Sequence, residues 1–187
     1  MQLMFEACRS SSGRREYVLT RYAERLQRND WVLRMIASME QSVSAASTRS
    51  DLWVRVAIDH LGCPNPGTVV SEQTDSHPRY DLLRSSKNVC IKVSGVYRFE
   101  HVPGVQEHIK TLLRLAPDEV VEASDWTHTG GMKHNLDGDP RQEQEFLTPD
   151  IPQSLRHCLS YFAGDEGLIH KLRVDNARRL WGECSYM

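Results

Sequence analysis

Three stretches of this chain run apolar, β-branched residues straight into ionisable side chains. Val54-Arg55-Val56-Ala57-Ile58-Asp59-His60 leads into Leu61-Gly62. Val89-Cys90-Ile91-Lys92-Val93-Ser94-Gly95 leads into Val96-Tyr97-Arg98. Glu119-Val120-Val121-Glu122-Ala123-Ser124-Asp125 leads into Trp126-Thr127-His128. A carboxylate at Asp125 can take a proton from water. A neutral imidazole at His60 can ligate a metal or hydrogen-bond a carbonyl, and His128 could line the same site. A guanidinium at Arg98 can grip a carboxylate with two parallel hydrogen bonds. These groups are far apart in sequence, so they act together only if the fold brings the three run ends to one place.

The segments between the runs supply that condition. Pro78 to Ser86 reads as a short helix, and Val102 to Ala116 carries one apolar stripe of Val105, Ile109, Leu112, Leu113 and Ala116 at helical spacing. Strands alternating with helices imply a parallel sheet with right-handed crossovers. In such sheets all strands end on one edge, and sites form there. A further strand is expected over Trp31 to Ile36, which makes four strand–helix units. Residues 1–12 are ambiguous: Met1 to Ala7 fits the stub of either a strand or a helix, and Ser10-Ser11-Ser12-Gly13 reads as a loop. Helices are also expected over Arg14 to Gln27, weakly over Ser38 to Ser47, and at the end of the chain over Ile151 to Phe162, Glu166 to Leu172 and Asp175 to Trp181. The polar, glycine-bearing stretch from Thr127 to Pro149 reads as a long surface loop. Alternation within the runs predicts that Val54, Val56, Ile58 and His60 share the concave face, as do Val121, Ala123 and Asp125. Lys92 can face either side.

Composition narrows the class. The 187 residues are 40% apolar and 26% charged, with a formal net charge of −2. That balance suits one soluble α/β domain and gives no electrostatic case for nucleic acid or a membrane surface. Nothing approaches the roughly 18 apolar residues a spanning helix needs. The five cysteines are odd in number and form no CxxC pair, which points to reduced thiols and a cytoplasmic setting. Cys63 and Cys90 are expected to be buried. Four strand–helix units are about half of a (β/α)₈ barrel, which typically needs about 250 residues.

Four motifs, in order, carry a resemblance. Ile58-Asp59-His60-Leu61-Gly62, Lys92-Val93-Ser94-Gly95, Ser124-Asp125-Trp126-Thr127-His128 and Asp175-Asn176-Ala177-Arg178-Arg179-Leu180-Trp181-Gly182 together resemble the amidohydrolase-related family, in its branch of 2-pyrone-4,6-dicarboxylate hydrolase and sugar lactonases. The resemblance implies a partial (β/α)₈ barrel forming an open parallel sheet, and the motifs match the last four strands of the family barrel. Residues 1–187 then form a single domain truncated at its N-terminal half. The family begins with a His-x-His strand, and none of the eight histidines here makes that pair.

By the resemblance, the activity is hydrolysis of a lactone or cyclic ester bearing carboxylate or hydroxyl groups. Asp125 matches the general base that activates water, and His60 matches the group that polarises the carbonyl or ligates a metal. Arg98 matches a carboxylate-binding arginine, with His128, Tyr97 and Ser94 also lining the substrate. The family works either without a metal or with zinc. Here only His60 and Asp125 could serve as ligands, so no tightly bound zinc is expected. Each residue also has a plainer reading: Asp125 as a cap, His60 as packing polarity, Tyr97 as packing, Arg98 and His128 as solvated loop side chains. The alternative to an enzyme is a truncated, non-catalytic half-barrel that associates through its open sheet edges, for example as a homodimer.

Overall fold

The computed structural model describes residues 2–6, 24–36, 54–64, 78–99, 102–126, 128, 146–162 and 164–182. Among them the chain builds one five-stranded, all-parallel sheet in sequential order: β1 Gln2–Glu6, β2 Val32–Ile36, β3 Arg55–Ile58, β4 Val89–Val93 and β5 Val120–Glu122. The α/β class and the open parallel arrangement are as the sequence implies. The ambiguous start of the chain is a fifth strand, paired along β2 from Gln2 opposite Val32 to Glu6 opposite Ile36. The described helices are α1 (residues 24–28), α2 Pro78–Ser85, α3 Val105–Leu115, α4 Ile151–Ser160, α5 Glu166–His170 and α6 Asn176–Trp181. The helix expected over 38–47, most of that over 14–27, and most of the loop after Thr127 lie outside the described residues.

The sheet has an apolar layer on each face. On one face, Ile58, Val89, Ile91, Val93 and Val120 pack with Tyr80 and Leu83 of α2 and with Ile109, Leu112 and Leu113 of α3. The stripe predicted on α3 is therefore the stripe that seals the core. On the other face Val32, Ala57, Cys90 and Val121 cluster with Leu180 of α6.

This corrects the expected facing of β3. Ile58 lies under the helices, and Ala57 takes the opposite face beside Cys90, its register partner. A one-residue slip exchanges the faces of a strand. Both faces of β3 are covered, so both sets of positions are apolar and alternation could not decide between them. The strands are also shorter than predicted. β3 stops at Ile58, β4 at Val93 and β5 at Glu122, so every ionisable candidate lies in the turns beyond them. Cys90 is buried as expected, whereas Cys63 is only half-buried.

The end of the chain anchors the opposite edge of the sheet. Asn176 Nδ2 donates to the carbonyls of Pro117 and Val120, both at 2.7 Å. Arg179 donates to the carbonyls of Lys87, at 3.0 Å, and of Asp118. These carbonyls sit where the chain enters β4 and β5, so α6 covers the entry edge of those strands. The predicted break near Asp175 is absent: one π-helical turn, Lys171–Asp175, joins α5 to α6 as a continuous helix.

Candidate active site

The chain leaves β3 through a left-handed turn. His60, Leu61, Gly62 and Cys63 have φ of 52°, 57°, 71° and 49°. Each non-glycine residue in that region costs about 1–2 kcal/mol relative to the right-handed form, so the turn needs compensating contacts. Leu61 is fully buried in the helix-side core. Gly62 N–H donates to Asp59 O at 3.0 Å and Cys63 N–H to His60 O at 2.8 Å. His60 N–H donates to Ser94 Oγ at 3.3 Å. His60 thus enters the site as the first residue of a turn and not as the in-facing residue of a strand.

The exit from β4 is equally constrained. Gly95 has a φ of +60°, and a Cβ placed there would stand 2.7 Å from Asp125 Oδ2 and 3.1 Å from Arg98 Cδ. Glycine allows both the left-handed backbone and the close approach. The turn Val96–Phe99 follows, with Arg98 N–H donating to Gly95 O at 2.9 Å. At the exit from β5, Asp125 and His128 have φ of 63° and 57°. His128 N–H donates to Asp125 O at 3.0 Å, and Leu147 N–H to His128 O at 2.7 Å.

These three exits gather all six residues singled out in the sequence. Asp125 Oδ2 accepts from Arg98 Nε at 2.7 Å and from the Tyr97 hydroxyl at 2.9 Å. Its Oδ1 faces His60 Nδ1 across 3.5 Å. The Tyr97 hydroxyl lies 3.3 Å from His128 Nδ1, with the two rings edge-on at 75°. Ser94 Oγ is 3.5 Å from His60 Nδ1. The Asp125 side chain is 7% exposed, that of His60 14% and that of Arg98 20%. Arg98 Nε is committed to Asp125, so the guanidinium orients the carboxylate in addition to any other task.

Burial sets the protonation of two of these groups. It is the largest influence on His60 and lowers its pKa below 6.5, with Arg98 and Arg34 acting in the same direction and Asp125 and Asp59 opposing. The ring is therefore neutral at neutral pH, the form that can hydrogen-bond a carbonyl. Burial, the hydrogen bond to Asp125 and the charge of Asp125 push the Tyr97 phenol up to about 12. Tyr97 is a permanent donor to the carboxylate.

Beneath this cluster lies a charged layer that the sequence reading did not single out. The Asp59 side chain is fully buried. It pairs with Arg34 Nε of β2 through Oδ2 and with Lys92 Nζ of β4 at 2.9 Å through Oδ1. Lys92 also stands 5.6 Å over the Trp181 ring. Lys92 therefore faces away from α2 and α3. The signal was present: a lysine inside the apolar run 89–93 needs a counter-ion at matching height, and Asp59 is the acid beside the adjacent strand.

His60 and Asp125 are also the candidate metal donors. Their 3.5 Å separation is close to the edge of a zinc tetrahedron, about 3.4 Å for bonds of 2.0–2.2 Å. Two donors are half of a structural set, and no group of three or more His, Cys, Asp or Glu suited to a metal occurs among the described residues. The described residues alone do not fit a resident zinc.

A parallel β/α sheet with its ionisable residues gathered at the strand exits is the arrangement of part of a (β/α)₈ barrel, with the candidate site at the usual face. The sequence profile of the Amidohydrolase family matches residues 7–182, and the chain belongs to that family. It is 29% identical over 163 residues to the 4-sulfomuconolactone hydrolase of Hydrogenophaga intermedia, covering 83% of this chain and 48% of that protein. It is 28% identical over 160 residues to the enzyme of that name from Rhizobium radiobacter, covering 82% and 48%. The chain spans about half the length of these curated relatives.

Among solved structures, one from Pseudomonas putida assigned as a 2-pyrone-4,6-dicarboxylic acid hydrolase superposes with a TM-score of 0.65 at 17% identity, over 97% of this chain and 62% of that one. A protein from Acinetobacter baumannii assigned the same activity, with citric acid bound, gives 0.64 at 18% identity, over 88% and 57%. A zinc-bound amidohydrolase from Burkholderia multivorans gives 0.56 at 15%, over 86% and 55%. At these identities the structural likeness establishes the fold.

Two outcomes are expected. Gly95→Ala places a methyl against Asp125 Oδ2 in a left-handed backbone. It should destabilise the chain by about 1–3 kcal/mol in urea denaturation. Because the folded pKa of His60 lies below its unfolded value, the unfolded chain binds more protons in that interval, and stability falls as the pH drops below 6.5. The loss of stability between about pH 7.5 and about pH 5.5 should be smaller in His60→Gln than in the parent.

Proposed function

We propose that this chain carries the proton-transfer half of a lactone hydrolase site, acting on a cyclic ester that bears carboxylate groups. One observation carries the reading: the Asp125 carboxylate is held on one oxygen by Arg98 and Tyr97, and its other oxygen faces a neutral His60 at 3.5 Å. The names of the two 4-sulfomuconolactone hydrolases support the reaction class, and the bound citrate of the Acinetobacter protein supports an anionic substrate.

In this mechanism Asp125 Oδ1 takes a proton from water as the water oxygen bonds to the ring carbonyl carbon. His60 donates a hydrogen bond to the carbonyl oxygen, where negative charge gathers. When the ring C–O bond breaks, the proton held by Asp125 passes to the departing oxygen, and a ring-opened hydroxy acid or its keto tautomer results. Arg98 and Tyr97 keep Oδ2 occupied, so Oδ1 is the reacting edge. Arg98, His128, Tyr97 and Ser94 line the substrate side. No step is assigned to a metal. The family's remaining barrel strands would complete the substrate pocket, this chain corresponding to the C-terminal part of the barrel. A reducing cytoplasm suits the buried Cys90 thiol, whose pKa burial raises to about 11.

Asp125→Asn tests the reading. In a barrel containing this segment the fold should survive, and lactone opening followed by ultraviolet absorbance should slow by about 10²–10⁴-fold. A rate within about threefold of the parent would remove Asp125 as the base.

A second reading has its own observation. Within the described sheet β1 and β5 each pair on one side only, and unpaired strand edges are templates for association. On this reading the chain is non-catalytic and closes a pseudo-barrel as a homodimer. Sedimentation of the purified chain should then give twice the 21.4 kDa monomer mass, with no lactone turnover. A folded monomer contradicts it.

A further inference from the structure

We propose that His108, buried on α3 and outside the site, is a positioning residue that locks the left-handed turn carrying His60. His108 is 1% exposed and lies on the same face of α3 as the apolar stripe. Its Nε2 is 3.1 Å from the Leu61 carbonyl, and its Nδ1 is 3.0 Å from the hydroxyl of the fully buried Tyr80 on α2. The partners settle the tautomer. A carbonyl only accepts, so Nε2 carries the hydrogen, and Nδ1 then accepts from the Tyr80 hydroxyl. One imidazole thus ties two helices to the residue that follows His60.

The bonded carbonyl gives this contact its consequence. Within the turn, the Asp59 and His60 carbonyls are satisfied by Gly62 and Cys63 N–H groups. The Leu61 carbonyl is the next in line, and it belongs to a buried residue with a φ of 57°. Its orientation fixes the peptide plane between Leu61 and Gly62, two of the four left-handed residues. Without His108 that carbonyl would be buried without this partner, a costly state. Rotating the peptide to seek another partner undoes the left-handed turn. His60 would then leave its place 3.5 Å from Asp125 and 3.3 Å, through its N–H, from Ser94. A satisfied core histidine could occur anywhere on α3; this one reaches the left-handed turn that carries His60.

The consequence for rate rests on the hydrolase reading, so the primary test does not use activity. The His60 imidazole is titrated by nitrogen-15 NMR in the full chain. His60 senses Asp125, Asp59, Arg98 and Arg34, and none of these is altered. In His108→Leu, His60 should titrate closer to 6.5 than in the parent, because the ring loses its buried place. His108→Gln retains a side-chain N–H for the Leu61 carbonyl and should return the titration towards the parent. Leu112→Ala, a cavity on the same helix away from the turn, should leave it unmoved. The proposal is overturned if His108→Leu titrates as the parent does, or if Leu112→Ala shifts His60 as much. Should His108→Leu not fold, His108→Phe decides: it keeps a ring of similar size in the same place without the N–H that bonds the Leu61 carbonyl, and an unshifted His60 there counts against the proposal. With a lactone substrate, His108→Leu should lower kcat by about 10²-fold, the scale of an ångström's misplacement, with KM little changed and His108→Gln restoring it. A shifted His60 titration together with an unaffected rate would overturn the hydrolase role of His60 while leaving the lock in place.

Discussion

Asp59 is a fully buried carboxylate, and most of the site geometry follows from the need to neutralise it. A charge taken out of water must meet cations and hydrogen-bond donors, and removing one partner of such a pair typically costs about 3–5 kcal/mol. Arg34 on β2 and Lys92 on β4 supply the charge from either side of β3. The three strands cannot slip past one another without breaking those pairs, so the ion layer pins the sheet register at the exit edge. It also fixes where β3 ends. With Asp59 held inward, the next residue must turn away, and His60 begins the left-handed turn that brings its ring to Asp125.

The site is therefore assembled from strained pieces on a rigid base. Non-glycine left-handed residues occur at His60, Leu61, Cys63, Asp125 and His128. Such conformations persist where the surroundings over-determine them, and they concentrate at functional sites. The compensation comes from the core. Leu61 is buried against the helix side, and its own carbonyl is bonded by His108 of α3. The entry edge is secured separately by Asn176 and Arg179. The α6 anchor and the candidate site thus occupy opposite edges of one sheet, as stability and site residues do in barrels generally.

The arrangement around Asp125 is asymmetric in a way that suits proton transfer. One carboxylate oxygen accepts two donors, and the other looks onto an imidazole that burial keeps neutral. A charged His60 would pair with Asp125 as an ion and compete for the edge that the proposed mechanism needs. Burial thus outweighs the pull of the neighbouring carboxylate, and the two groups face one another without forming a salt bridge at neutral pH.

Much of this was legible in the amino-acid order. Apolar runs alternating with helical stripes specified a parallel sheet, and parallel connectivity requires the runs to end on one edge. That topological fact alone predicted the meeting of His60, Arg98, Asp125 and His128. The stripe of α3 was legible because one face of that helix is apolar and the other polar. What the order could not specify was which way each side chain points where both faces are covered. Val56 and Ile58 are as apolar as Ala57, so the facing of β3 was decided by the register that pairs Ala57 with Cys90 and Asp59 with its two cations. The left-handed turn was equally hidden, since Leu61 and Cys63 disfavour that backbone and only Gly62 hints at it. Local preference there is overruled by contacts from residues 34 and 47 positions away, Ser94 to His60 N–H and His108 to the Leu61 carbonyl. Those contacts exist only once the helices are packed, and for that reason the tertiary structure alone decided how His60 reaches Asp125.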